Sequence, residues 1–183
     1  NKMSVLIKNG RIITADADYK ADIFIEGETI ATIGKNLIIR ADKIIDASGK
    51  LVMPGGIDPH VHLDMPFMGT YSSDNYETGT RAALFGGTTM VIDFILQKQG
   101  NSLKAALDEW RGRSNGNCVG DYSFHMAVTD FNDDTKKEIR HFIEIEGITS
   151  FKTFMAYKGA LMIDDRQMIG LMEEVKKCGG LIN

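Results

Sequence analysis

Short apolar runs separated by turn pairs occupy the first fifty or so residues, and a slower alternation of strand-like and helix-like segments fills the rest. Val5-Leu6-Ile7 and Ile12-Ile13 flank Asn9-Gly10; Ile23-Phe24-Ile25 precedes Gly27-Glu28, and Ile30 and Ile33 follow it. Ile44-Ile45 and Leu51-Val52 flank Ser48-Gly49. Runs of this length joined by Asn-Gly and Ser-Gly pairs predict antiparallel hairpins or one layer of a small β-sandwich. A layer of about fifty residues buries little surface by itself, so it is expected to lean on something else.

After Gly55 the period changes. Thr88 to Phe94 reads as a strand, and Leu103 to Arg111 as a helix capped by Asn101 or Ser102. Tyr122 to Val128 is a second strand. Asp133 to Glu146 is a helix, begun by Asp133 or Asp134 and stopped by Gly147. Phe151 to Tyr157 reads as a strand again. The helix from near Asp164 sets Met168, Leu171, Met172 and Val175 on one face and ends at Gly179-Gly180, where Leu181-Ile182-Asn183 opens a further strand. Repeated β-then-α units imply an α/β fold with a parallel sheet and right-handed crossovers, either open and doubly wound or closed as a (β/α)8 barrel. With the strand that runs into His60, four units and the start of a fifth are visible. A closed barrel needs roughly 200–250 residues, so this chain is expected to be part of a longer polypeptide, with a boundary between 1–54 and 55–183.

Composition narrows the class. Hydrophobic residues make up 43% and charged residues 25% of the 183, enough for a core and against disorder. Twenty-one basic against 25 acidic residues leave a net charge of −4, which argues against a nucleic-acid partner. No apolar run approaches the roughly 18–20 residues of a membrane helix, and no basic-then-apolar leader opens the chain, so no membrane partner is expected. Two cysteines, Cys118 and Cys178, make no disulfide framework and suit a reducing compartment. The expectation is a soluble, cytoplasmic chain.

The sharpest local pattern is Pro54-Gly55-Gly56-Ile57-Asp58-Pro59-His60-Val61-His62. Residues two apart on a strand face one way, so His60 and His62 can aim both imidazoles at one metal ion. Their place at a strand's C-terminal end is where (β/α)8 barrels do chemistry. A bare His-x-His also occurs in ordinary turns, and alone the pattern favours that plainer reading. Lys152 sits inside the apolar Ser150–Tyr157 run, where burial of an ammonium is costly or lowers its pKa. A neutral lysine can add carbon dioxide to form a carbamate, a two-oxygen anion able to bridge two metals. Judged singly, it is expected to snorkel or pair with an acid. Tyr157, five residues on at the strand end, can donate to an oxyanion or serve as a rim aromatic. Asp93, ending its strand, can orient a ligand. His125 in mid-strand and His141 on a solvated helix read as structural, and the ten methionines as core and pocket filling.

Residues 54–94, PGGIDPHVHLDMPFMGTYSSDNYETGTRAALFGGTTMVIDF, with SFKTFMAYKG at 150–159, closely resemble the dihydropyrimidinase/hydantoinase family of cyclic amidohydrolases. The opening VLIKNGRIITADADYKADIFIEGETIATIG is similar to that family's N-terminal β-sandwich segment, so the resemblance covers essentially the whole chain. This joint match outweighs both plainer local readings. It implies the first half of a metal-dependent (β/α)8 TIM barrel with part of a β-sandwich. It further implies His60 and His62 on one zinc ion, and carboxylated Lys152 bridging to a second. Tyr157 would bind the substrate ring and stabilise the oxyanion, while Met65, Phe67 and Phe154 would line the apolar side of the pocket. The implied reaction opens a dihydropyrimidine or hydantoin to an N-carbamoyl amino acid, and family members usually form homotetramers. The remaining metal ligands and the catalytic aspartate of the family lie beyond Asn183, so the 183-residue segment alone is expected to be inactive and not stably folded. Allantoinases and dihydroorotases are sister enzymes. The dihydroorotase-like pattern sets an arginine two residues after the second histidine, where this chain has Asp64. Collapsin-response mediator proteins, scaffolds that lack the metal ligands, are the non-enzymatic alternative; intact His60, His62 and Lys152 argue against it.

Overall fold

The computed structural model describes residues 2–67 and 69–183. It divides into two compact units, Asn1–Pro54 and Gly55–Asn183.

The first unit is one mixed sheet. β1 (Ser4–Ile13) pairs antiparallel with β2 (Asp18–Glu26), and β2 with β3 (Thr29–Gly34) around Gly27, whose φ of +62° suits a residue without Cβ. β4 (Lys43–Asp46) and β5 (Leu51–Val52) both lie parallel to β1, which the reading as antiparallel hairpins did not anticipate. Asn9-Gly10 also departs from expectation. It forms no turn: β1 runs straight through it with a register shift between Ile7 and Gly10. Asn9 takes φ +63° and donates its backbone N–H to Asp22 at 2.7 Å and its side-chain amide to Asp46 at 3.0 Å. Asparagine tolerates this left-handed conformation, so the pair makes a bulge where a hairpin was expected.

The second unit holds five parallel strands: β6 (Gly56–Val61), β9 (Thr88–Leu96), β10 (Asp121–Ala127), β11 (Ser150–Lys152) and β12 (Leu181–Ile182). A small hairpin, β7 (Pro66–Phe67) with β8 (Thr70–Tyr71), follows β6. The helices α1 (Tyr76–Phe85), α2 (Leu103–Ser114), α3 (Asp133–Glu144) and α4 (Asp165–Lys177) lie between successive strands. Each strand pairs with the next in sequence, in the order β12-β11-β10-β9-β6. A doubly wound sheet reverses its order at a switch point; this one never does, so the sheet is a parallel half-barrel.

Caps fix the helix starts. Ser102 accepts from the Ala105 N–H, and Asn132, Asp164 and Asn75 each build a reciprocal capping box. For α3 the cap is thus Asn132, with Asp133 and Asp134 in the first turn, where carboxylates suit the helix dipole. α1 has no clear apolar period and carries a glycine in mid-helix, so the sequence pattern passes over it. That glycine has a reason: a Cβ on Gly79 would come within 2.4 Å of Leu63, the residue after His62. β11 is shorter than the Phe151–Tyr157 strand expected from its apolar run, because the chain leaves the sheet after Lys152.

Leu103, Leu107 and Trp110 of α2, Ile139 and Phe142 of α3, and Leu171 and Val175 of α4 pack with Ile95, Met126 and Phe151 from the strands. Phe142 is completely buried, whereas Ile145, three residues on, is 71% exposed. Phe142→Ala is therefore expected to cost about 3–5 kcal/mol in urea unfolding of the full-length protein, and Ile145→Ala no more than about 0.5 kcal/mol.

Candidate active site

β6 ends at Val61, and His60 and His62 flank that end. Their rings meet edge-on at 5.2 Å, and both lie against Phe94 of β9, at 4.6 and 5.2 Å. Lys152, the last residue of β11, brings Nζ to 4.5 Å from the Phe94 ring centre and 5.1 Å from that of Phe154. Three nitrogen-bearing side chains thus gather around one ring. Among the described residues none of the three side chains has a hydrogen-bond or ion-pair partner. Burial, then the neighbouring His60 and Lys152, push the His62 pKa below its ordinary value. The shift favours the neutral form of His62, the one with a lone pair to give.

An unpartnered group of basic nitrogens fits a divalent cation together with an anionic bridge. The set is partial. Among the described residues no three or more His, Cys, Asp or Glu side chains gather to hold a metal ion.

Beside these residues lies a largely apolar cavity of about 360 Å³, lined by His62, Met65, Phe67, Thr70, Tyr71, Ser72, Lys152, Phe154, Tyr157 and Leu161. The β7–β8 hairpin presents Phe67 and Tyr71 to it. Tyr157 meets Phe67 and Phe154 edge-to-face, at 6.0 and 6.1 Å. It stands beyond the strand in a turn, where its carbonyl accepts from the Ala160 and Leu161 N–H groups, both at 3.0 Å. Its φ of +62° is unusual for a bulky residue and costs about 1–2 kcal/mol, strain that the turn holds. A larger cleft, about 590 Å³, lies in the first unit. It is polar, its buried Asp22 is already bound by Lys8 and by the Asn9 and Leu37 N–H groups, and none of the candidate residues lines it.

Residues 51–183 match the amidohydrolase family. The chain belongs to that family. It is 48% identical over 180 residues to a D-hydantoinase of Geobacillus stearothermophilus, covering 98% of this chain and 38% of that protein. It is 41% identical over 182 residues to a dihydropyrimidinase of Rattus norvegicus, covering 97% of this chain and 35% of the other. The crystal structure of dihydropyrimidinase from Brevibacillus agri superposes with a TM-score of 0.95 at 47% identity, over 98% of this chain and 39% of that one. The chain thus spans about two-fifths of the length of the relatives it matches.

The amidohydrolase geometry here includes residues that sequence reasoning passed over. Phe94 is 2% exposed and forms the floor on which His60, His62 and Lys152 rest. Tyr71 and Leu161 add to the cavity wall. Asp93 lies within β9, not at its end, and is completely buried. Tyr76 of α1 donates its hydroxyl to Asp93 at 2.7 Å, and the Leu63 N–H donates at 3.4 Å, which ties α1 to the backbone just past His62. His141 lies on α3 beside Glu146 and away from the site. Among the described residues no helix is long and apolar enough to cross a membrane.

Burial lifts the Asp93 carboxyl to about 6, from an ordinary 3.8, against the opposing pull of the Tyr76 hydroxyl. The folded state therefore binds this proton more tightly than the unfolded chain. The stability so gained is complete below about pH 4 and is lost as pH rises through about 6. In urea unfolding of the full-length protein, Asp93→Asn is expected to remove this decline, so that the two proteins differ in slope between about pH 4 and 6 and run parallel above about pH 7.

Proposed function

We propose that the full-length protein is a hydrolase that opens a cyclic amide, a dihydropyrimidine or a hydantoin, to an N-carbamoyl amino acid. The observation that carries this is the gathering of His60, His62 and Lys152 on the Phe94 ring at the mouth of an apolar cavity. The names of the relatives support the same reaction class.

In this reading 55–183 is the first half of a (β/α)8 barrel, and 1–54 is the N-terminal part of a β-sandwich. His60 and His62 would hold one divalent metal ion through their ring nitrogens. Lys152 would be carboxylated: its unprotonated amine adds to carbon dioxide with release of one proton, and the carbamate, one negative charge shared by two oxygens, would help to hold the metal. Zinc suits this mixed nitrogen and oxygen set. A metal bound there supplies Lewis acidity and a water of lowered pKa at the amide carbonyl.

The chain's own residues do the rest. The Tyr157 hydroxyl, set by its turn, donates to the carbonyl oxygen as negative charge develops. Met65, Phe67 and Phe154 pack against the ring and keep bulk water away. The substrate ring is uncharged. Asp64 occupies the position from which an arginine would clamp a carboxylate, and it engages Arg113, which donates to the Asp64 carbonyl at 2.7 Å. The free thiols Cys118 and Cys178 suit a reducing, cytoplasmic setting, and the family habit of a homotetramer is extended to this protein.

Two measurements on the full-length protein test the reading. Elemental analysis is expected to find two divalent metals per protomer in the wild type and a loss of metal in Lys152→Ala; metal-free wild type prepared with zinc and bicarbonate would sink it and leave a non-catalytic scaffold as the better account. Tyr157→Phe is expected to keep its metal and KM while kcat for dihydrouracil or hydantoin falls about 10²–10³-fold.

A further inference from the structure

β6 pairs with β9 at Gly56, Ile57 and Asp58, then again where Val61 meets Asp93, and Pro59 and His60 fall in the gap between. Proline has no N–H to give, and the break leaves its carbonyl outside the ladder. That carbonyl lies 2.9 Å from Nε2 of His125, a residue of β10, which stands beyond β9 in the sheet. The other ring nitrogen, Nδ1, meets the hydroxyl of Ser150 at the start of β11. A carbonyl only accepts, so Nε2 carries the proton and Nδ1 accepts from the Ser150 O–H. His125 is buried, and its ring rests on Phe94 at 4.7 Å.

Both partners are placed to matter. Pro59 directly precedes His60, and Ser150 lies two residues before Lys152, on the same face of β11. Backbone pairing links β6 to β11 only through two intervening strands. His125 makes the link with one rigid ring.

We propose that His125 is a positioning residue of the metal centre: by holding the Pro59 carbonyl and the Ser150 hydroxyl together it sets the spacing between the His60 and Lys152 side chains. This rests on reading His60, His62 and Lys152 as metal ligands. His125 touches neither substrate nor metal, and it acts through the two strands that carry the ligands. Groups that orient ligands in this way are worth about 10–100-fold in metal affinity.

The test uses the full-length protein, with zinc affinity measured by competition against a chelator and with kcat and KM measured alongside. His125→Phe keeps a ring on Phe94 but removes both hydrogen bonds; it is expected to bind zinc about 10–100-fold more weakly and to lose kcat with little change in KM. His125→Gln keeps an N–H able to reach the Pro59 carbonyl and is expected to recover most of the affinity. Equal zinc affinity in His125→Phe and wild type would overturn the proposal, and so would a His125→Gln variant no better than His125→Phe, since the bond to the Pro59 carbonyl would then not be what carries the affinity. Where His125→Phe does not fold, Ser150→Ala carries the test: several-fold weaker zinc binding supports the link and unchanged binding overturns it. Wild-type protein that binds no zinc would overturn the metal reading and this proposal with it, whereas failure confined to the variants overturns this proposal alone.

Discussion

Phe94 has no polar atom and is 2% exposed, yet the side chains of His60, His62, His125 and Lys152 all lie against its ring. Two forces compete on such a surface. The face of an aromatic ring draws cations, by about 0.5–2 kcal/mol. Loss of water penalises the charged form by more, several kcal/mol for an ion taken fully inside. For His62 desolvation prevails, and its two basic neighbours act in the same direction. Packing against this aromatic floor therefore moves the His62 imidazole further toward the neutral state, the one in which it can bind an electrophile.

The sheet brings this about through its order. Because each parallel strand pairs with its successor, the C-terminal ends of β6, β9, β10 and β11 arrive in one row, although 92 residue positions separate His60 from Lys152. The helices on the outside hold the sheet by buried apolar contacts and well-made caps. The loops that leave the strand ends are then free to carry aromatic side chains into the cavity. The Tyr157 turn and the β7–β8 hairpin do so from opposite sides of the lysine in sequence. Rigid strands set the nitrogens, and loops shape the wall.

Much of this was legible in the residue order, and the exceptions are physical. The alternation of strand and helix after Gly55, the facing pair of histidines and the lysine in an apolar strand are local patterns of period 2 or 3.6, and the structure places all of these residues as those periods require. What escaped has no local period. Asn9-Gly10 has the composition of a hairpin turn, but long-range bonds to Asp22 and Asp46 make it a bulge. The helix around Gly79 is stabilised by its cap and by close packing on Leu63, neither visible as an apolar stripe. Phe94 reads as one more core residue, because its role comes from partners on three other strands. Tyr157 looked like the end of a strand since nothing in its neighbours announces a positive φ.

The break in the β6 ladder at Pro59 and His60 has a consequence for how the site is made. A strand with an unbroken ladder can slide by two residues and find an equivalent pairing. β6 cannot, because its proline fits only where no N–H is required and its two flanking stretches must both find β9. The height of the imidazoles above the sheet is thus decided when β6 and β9 zip together during folding. The ordering cost is met then, and a ligand arriving later meets a socket already cut to shape.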